Sequence, residues 1–346
     1  MNRAELDAFV ASRRLSAEAA GAALALSGNR PGRAEWRAFV VRLLEALGVL
    51  GLAAGAIFFV AANWEDYGVF GRFAILELAL SACVGVALWR APPHRAGQAA
   101  LMLALLLTGA LLALFGQSYQ TGADVHELFV GWAMLALPFA LAAQSGAVWA
   151  AWLCVANLGL VLYFGVVGGR GRELVDFWWW GSRGTSQAVP TLLASLADFA
   201  LAGLALAVAR TRFSAATPRW LIRFAGLLAF GLGTWACQLA LFERDSLRLE
   251  STLAQRLGVV AVFALLSAAT LAGTLRRRTD IFPLALVAAA WIAISTTWIA
   301  KTMPGDISLF FFVALWLLAA AAAAGTLLTR TLRAWQQDAG VAGAPR

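Results

Sequence analysis

The chain reads as an all-α, polytopic membrane protein, a transmembrane helical bundle of about ten spans. Three observations predict it. Hydrophobic residues make up 61% of the 346 positions and charged residues 13%, where soluble domains run nearer half and a quarter. The apolar residues fall in blocks of about 17 to 24, the length a helix needs to cross ~30 Å of hydrocarbon. Alternating strand patterns are absent, so helices rather than a barrel must satisfy the backbone.

Residues 1–42 come first and hold seven arginines without a signal-peptide core, so cleavage is not expected. Asn2 with Glu5 resembles a capping box, and Leu6, Phe9 and Val10 form an apolar stripe. Ser16 caps a second short helix through Leu26, closed by Gly28 and followed by Pro31 and Gly32. The pair predicts a small cytosolic helical hairpin with a linker, suited to docking rather than independent folding. A DNA-binding reading is weak because Arg13 and Arg14 lie at the turn.

Spans follow near 43–62, 71–89, 99–115, 128–144 and 146–167, then 189–209, 220–241, 257–275, 281–300 and 307–329. The first five form an N-terminal membrane region (43–167) and the last five a C-terminal one (189–330), separated by a Trp-rich loop (168–188) and followed by a tail (331–346). The fourth and fifth spans meet at Gln144, Ser145 and Gly146, the weakest division, where a re-entrant pair is the alternative. Pro138 and Pro283 mark kinks. Gly48, Gly51 and Gly55 share one face of the first span, a spacing that permits close helix approach.

Basic residues set the orientation. Ten spans with both ends inside place 19 of the 27 Lys and Arg residues in the cytoplasm, and the remaining eight face outward among acidic neighbours. The net charge of +8 is therefore topogenic; scattered at span ends, it does not make a nucleic-acid surface. Trp36, Trp89, Trp220 and Trp335 then fall at the inner face, and Trp64, Trp178 to Trp180 and Trp298 at the outer one, as interfacial anchors. Cys83, Cys154 and Cys237 sit in apolar runs without disulfide or zinc spacing.

Ionisable groups inside spans are default functional candidates, because a charge at the bilayer centre costs roughly 2.5 to 3.5 kcal/mol on insertion scales. Asp198 midway along span six and Glu77 in span two qualify, as buried coupling groups for a proton or ion. Asn157 and Gln238 are expected to bridge helices. A second candidate site is an external polar cluster. Asn63, Trp64, Glu65 and Asp66 end span one on the outer side, where Gln117, Tyr119, Asp124, His126 and Glu127 also lie, in the segment GQSYQTGADVHE. Side chains of these types are able to bind a divalent cation or share acid–base work. Capping of helix ends is the simpler use, and no metal is assigned.

AANWE after span one and FGQSYQTGADVHELFVGWAMLALPFA across spans three and four resemble the bacterial membrane proteins grouped as domain of unknown function 2157 (DUF2157). The resemblance covers roughly residues 1–165. Its recurring pattern is carried here by Gln117, Tyr119, Asp124, Leu128, Phe129 and Trp132. It implies a bacterial inner-membrane location and supplies no reaction.

The leading functional expectation is a protein of the cytoplasmic membrane that handles a small solute or ion through an outward-facing polar vestibule, a transporter. The alternative is a non-enzymatic scaffold or sensor that uses the hairpin for contact with a membrane partner or a second copy. An enzyme would need a convergent nucleophile or metal set, and none is identifiable. No cofactor and no nucleic acid are expected; the lipid bilayer is the one partner the sequence requires.

Overall fold

The computed structural model describes residues 19, 33–62, 67–119, 122, 124–166, 188–208, 218–242, 253–278, 280–302 and 307–342. Among them the secondary structure is entirely helical. The helices are α1 (Arg33–Ala62), α2 (Val69–Trp89), α3 (Arg95–Tyr119), α4 (Val125–Ala142) and α5 (Gly146–Val166), then α6 (Ala188–Val208), α7 (Arg219–Phe242), α8 (Leu253–Arg277), α9 (Phe282–Thr302) and α10 (Ile307–Ala342). Among the described residues nine are long and apolar enough to cross a membrane, and α6 (21 residues) is apolar as well. The expected bundle of about ten spans is thus the observed fold class. The N-terminal hairpin and the Trp178 to Trp180 loop lie outside the described residues.

The chain forms two compact units, Met1–Leu76 and Glu77–Arg346. In the first, α1 begins at Arg33, ten residues before the apolar run. Arg, Glu, Ala and Leu are all good helix formers, so the helix continues through charges where hydropathy stops. Gly48, Gly51 and Gly55 have no atom of the described residues within 4 Å of where a Cβ would stand.

In the second unit α4 and α5 are separate helices joined at Ala143, Gln144 and Ser145. The 18 residues of α4 give about 27 Å at ~1.5 Å per residue. Pro138 lies inside α4, whereas Pro283 is the second residue of α9, a first-turn position that any helix tolerates without a kink.

Tryptophans lock the neighbours together. Trp132 Nε1 on α4 donates to the Leu105 carbonyl of α3 at 2.7 Å, and Trp152 Nε1 on α5 donates to the Ala133 carbonyl of α4 at 2.8 Å. The Trp132 ring lies against the backbone of Gly109, where a Cβ would stand 2.4 Å from the ring. Glycine there is a requirement of close approach.

The interface between α6 and α7 is the most extensive in the unit. A ladder of rings, Phe199, Phe230, Phe263 and Trp291, runs from α6 through α7 and α8 to α9 with centroids 5.0, 5.7 and 6.1 Å apart. Gly233 of α7 again admits a neighbour, since a Cβ would meet Phe263 Cε2 at 2.3 Å and Ser195 Oγ at 2.8 Å. The last helix, α10, runs for 36 residues and leaves the apolar zone as one continuous rod.

Candidate functional site

Asp198 is buried to 1% exposure on α6, one turn from Ser195, which is fully buried. Ser195 faces α7 and α8, since a Cβ on Gly233 would meet both its Oγ and the Phe263 ring, and Phe263 shares an apolar core with Phe230 and Cys237 of α7. Across the α5–α6 contact, Asn157 Nδ2 donates to Asp198 Oδ1 at 2.7 Å and to the Leu153 carbonyl at 3.1 Å. Ser195 Oγ donates to the Ala229 carbonyl at 2.8 Å.

The two oxygens left over are informative. Asp198 Oδ2 and Asn157 Oδ1 are buried and have no hydrogen-bond partner among the described residues. Both are acceptors when the acid is ionised, so neither can satisfy the other. One proton on the carboxyl changes its chemistry, because it removes the buried charge and turns one acceptor of Asp198 into a donor. Ser267 Oγ of α8 is a further buried polar atom without a partner among the described residues.

Asn157 and Gln238 bridge helices as expected, Gln238 Nε2 reaching Thr297 Oγ1 of α9 at 3.1 Å. Glu77 requires a correction. Its side chain is exposed on α2, so it is not a buried coupling group. The buried positions of that helix, Leu76, Cys83 and Ala87, mark one face, and Glu77, one residue beyond Leu76, is turned about 100° away from it.

At the α3–α4 connection the structure places part of the polar cluster. Gln117 and Tyr119 are exposed in the last turn of α3, while Asp124 and Glu127 are exposed at the start of α4. Asp124 occupies the N-cap position, yet its side chain makes no capping bond; only its carbonyl accepts from the Glu127 N–H, at 3.0 Å. Glu127 lies in the first turn, where a negative charge suits the helix dipole. His126 turns inward, its ring edge-on to Tyr163 of α5 with centroids 5.5 Å apart. Its Nδ1 is buried without a partner among the described residues. Among the described residues no three His, Cys, Asp or Glu side chains come together as a metal site. Asn63, Trp64, Glu65 and Asp66 lie outside the described residues.

Sequence reading passed over an ion pair. Arg223 of α7 clasps Asp280 with Nε to Oδ2 at 2.9 Å and Nη2 to Oδ1 at 3.0 Å, and Asp280 Oδ1 also accepts from the Phe282 N–H that opens α9. Partial burial acts to raise the Asp280 carboxyl. The hydrogen bonds from Arg223 and Phe282 and the charges of Arg223 and Arg219 outweigh it and hold the group below its ordinary range. An aspartate preceding an apolar run after three arginines was the available signal.

Residues 7–149 match the family model described as a predicted membrane protein, DUF2157. That interval includes the polar cluster and Trp132 and ends before Asn157, so the buried pair lies outside it. No curated protein and no solved structure matches the chain.

Proposed function

We propose that this chain, similar over residues 7–149 to the DUF2157 membrane proteins, is a proton-linked protein of the bacterial inner membrane. It handles a small solute or ion with both termini in the cytoplasm, and Asp198 carries the proton. One observation supports this above all: Asp198 is 1% exposed, bonded to the neutral amide of Asn157, and its second oxygen has no partner among the described residues. The orientation rests on the arginine bias.

A proton also fits the space. Metal cations take several oxygen ligands, whereas the partner of Asp198 is an amide at 2.7 Å inside a packed apolar core. Losing the proton leaves a charge at a depth where insertion scales charge roughly 2.5 to 3.5 kcal/mol. Release is therefore tied to a rearrangement of α5 against α6, or to arrival of a polar solute that replaces the lost bond. The scaffold reading treats the same pair as structural, and the test separates them.

The purified protein in liposomes, under an imposed potassium-diffusion potential, should pass protons to an entrapped pH dye several-fold faster than empty vesicles. Asp198→Asn should fold normally and lose that flux. Infrared difference spectroscopy should detect a protonated-carboxyl C=O band that disappears in Asp198→Asn. Equal flux in wild type and variant, or no such band, would overturn the proposal in favour of a structural pair.

A further inference from the structure

The second unit holds a cleft of about 580 Å³ between α8, α9 and α10. Leu271, Leu284, Leu328 and Thr331 line one end, and Ser295 and Trp316 the other. From Trp316 to Thr331 it follows α10 for about 22 Å at ~1.5 Å per residue. Its hydroxyls are already engaged: Thr331 Oγ1 donates to the Leu327 carbonyl at 2.8 Å and Ser295 Oγ to the Ile292 carbonyl at 3.0 Å. The cleft therefore asks for an apolar occupant.

The charges at its ends differ. Beyond Leu271, α8 finishes with Arg276 and Arg277, both exposed; beside Thr331, α10 carries Arg330 and Arg333, also exposed. The nearest described acid on the α8–α9 connection, Asp280, is already clasped by Arg223. At the opposite end the cation of α9 is Lys301, which donates to the Leu241 carbonyl.

We infer that this cleft is a binding site for an anionic phospholipid, with an acyl chain lying between α9 and α10 and the phosphate held by the arginines of α8 and α10. Basic clusters at the membrane surface attract acidic headgroups, about 1 kcal/mol per Lys or Arg, and guanidinium groups match phosphate geometry. A second copy of the chain is the weaker occupant. Two-fold pairing of the Ala320, Ala323 and Ala324 face would bring Arg330 and Arg333 of both copies together.

The test uses the full chain in phosphatidylcholine vesicles doped with brominated phosphatidylglycerol or brominated phosphatidylcholine, read by quenching of tryptophan fluorescence. Trp291 and Trp316 line the cleft, and the difference from Trp291→Phe/Trp316→Phe isolates their signal. Brominated phosphatidylglycerol should quench them at a several-fold lower mole fraction than brominated phosphatidylcholine. Arg330→Gln/Arg333→Gln should erase that preference, and Ala324→Phe should remove the quenching by filling the cleft. Ala320→Leu serves in its place if Ala324→Phe fails to fold. Equal quenching by the two lipids in the wild type overturns the inference, as does unchanged quenching in the filled variant. A cross-linkable dimer lost on filling the cleft, without lipid preference, assigns the face to a second copy instead.

Discussion

Replacing Asp198 in two ways tests how the buried pair is bonded. Asp198→Asn keeps shape and volume: the new amide oxygen accepts from Asn157 Nδ2 at the 2.7 Å contact, and its N–H₂ supplies a donor as the O–H of a protonated acid would. The bond across the helices is preserved and no charge is buried, so the expected loss of stability is below about 1 kcal/mol. Asp198→Ala strands Asn157. Its Nδ2 retains only the Leu153 carbonyl and its Oδ1 stays bare, a cost of about 1 to 3 kcal/mol. The void left in a close-packed interior adds to this. Together Asp198→Ala should lose about 2 to 4 kcal/mol. Reversible unfolding in mixed micelles measures both. Adding Asn157→Leu to Asp198→Leu should recover part of the loss, a coupling of about 0.5 to 3 kcal/mol, because removing both partners leaves nothing buried and unsatisfied. If Asp198→Asn is as damaging as Asp198→Ala, the paired geometry is not what stabilises this site and the argument fails.

Gly109→Ala should destabilise by about 1 to 3 kcal/mol through overpacking, since its Cβ would stand 2.4 Å from the Trp132 ring. The loss should grow by about 1 kcal/mol if the Trp132 bond to Leu105 breaks. Gly116→Ala on the same helix, where nothing lies within 4 Å, should be neutral or slightly stabilising in the same melt. The Arg223–Asp280 clasp gives a pH dependence. Because the folded carboxyl is held below its ordinary value of 3.8, its contribution is full above that pH and fades as pH falls through the lower folded value. Asp280→Asn should flatten that acid limb in thermal melts, and added salt should shrink the wild-type effect, as the side chains are 47% and 28% exposed. An unchanged acid limb in Asp280→Asn would remove the clasp as its cause.

The fold was largely legible because crossing a membrane constrains each helix separately: a run such as 99–115 announces α3 by length and apolarity alone. Asp198 was legible for the same reason, as a charge where none is tolerated cheaply. What hydropathy cannot carry is the partner. It flagged Glu77 alongside Asp198, although one helical residue decides which face a side chain occupies. The Leu128, Phe129 and Trp132 pattern was legible only as part of a family resemblance, and Trp132 packs on Gly109 and bonds to a backbone carbonyl of α3. Its partners lie 23 and 27 positions back, a separation no local pattern encodes. Arg223 and Asp280 are 57 residues apart and meet only after α7, α8 and α9 have packed.

At 36 residues, α10 is about 54 Å long, far more than the ~30 Å hydrocarbon core demands. An unbroken helix of that length fixes phase as well as height. Every residue added or removed between Trp316 and Arg330 would turn the basic groups by about 100° and shift them by about 1.5 Å. One such indel moves them to another face of the helix, whereas four inserted residues bring them back nearly in step, one turn higher. Length variation here is therefore constrained by angular register, and α10 works as a ruler whose graduations are helical turns.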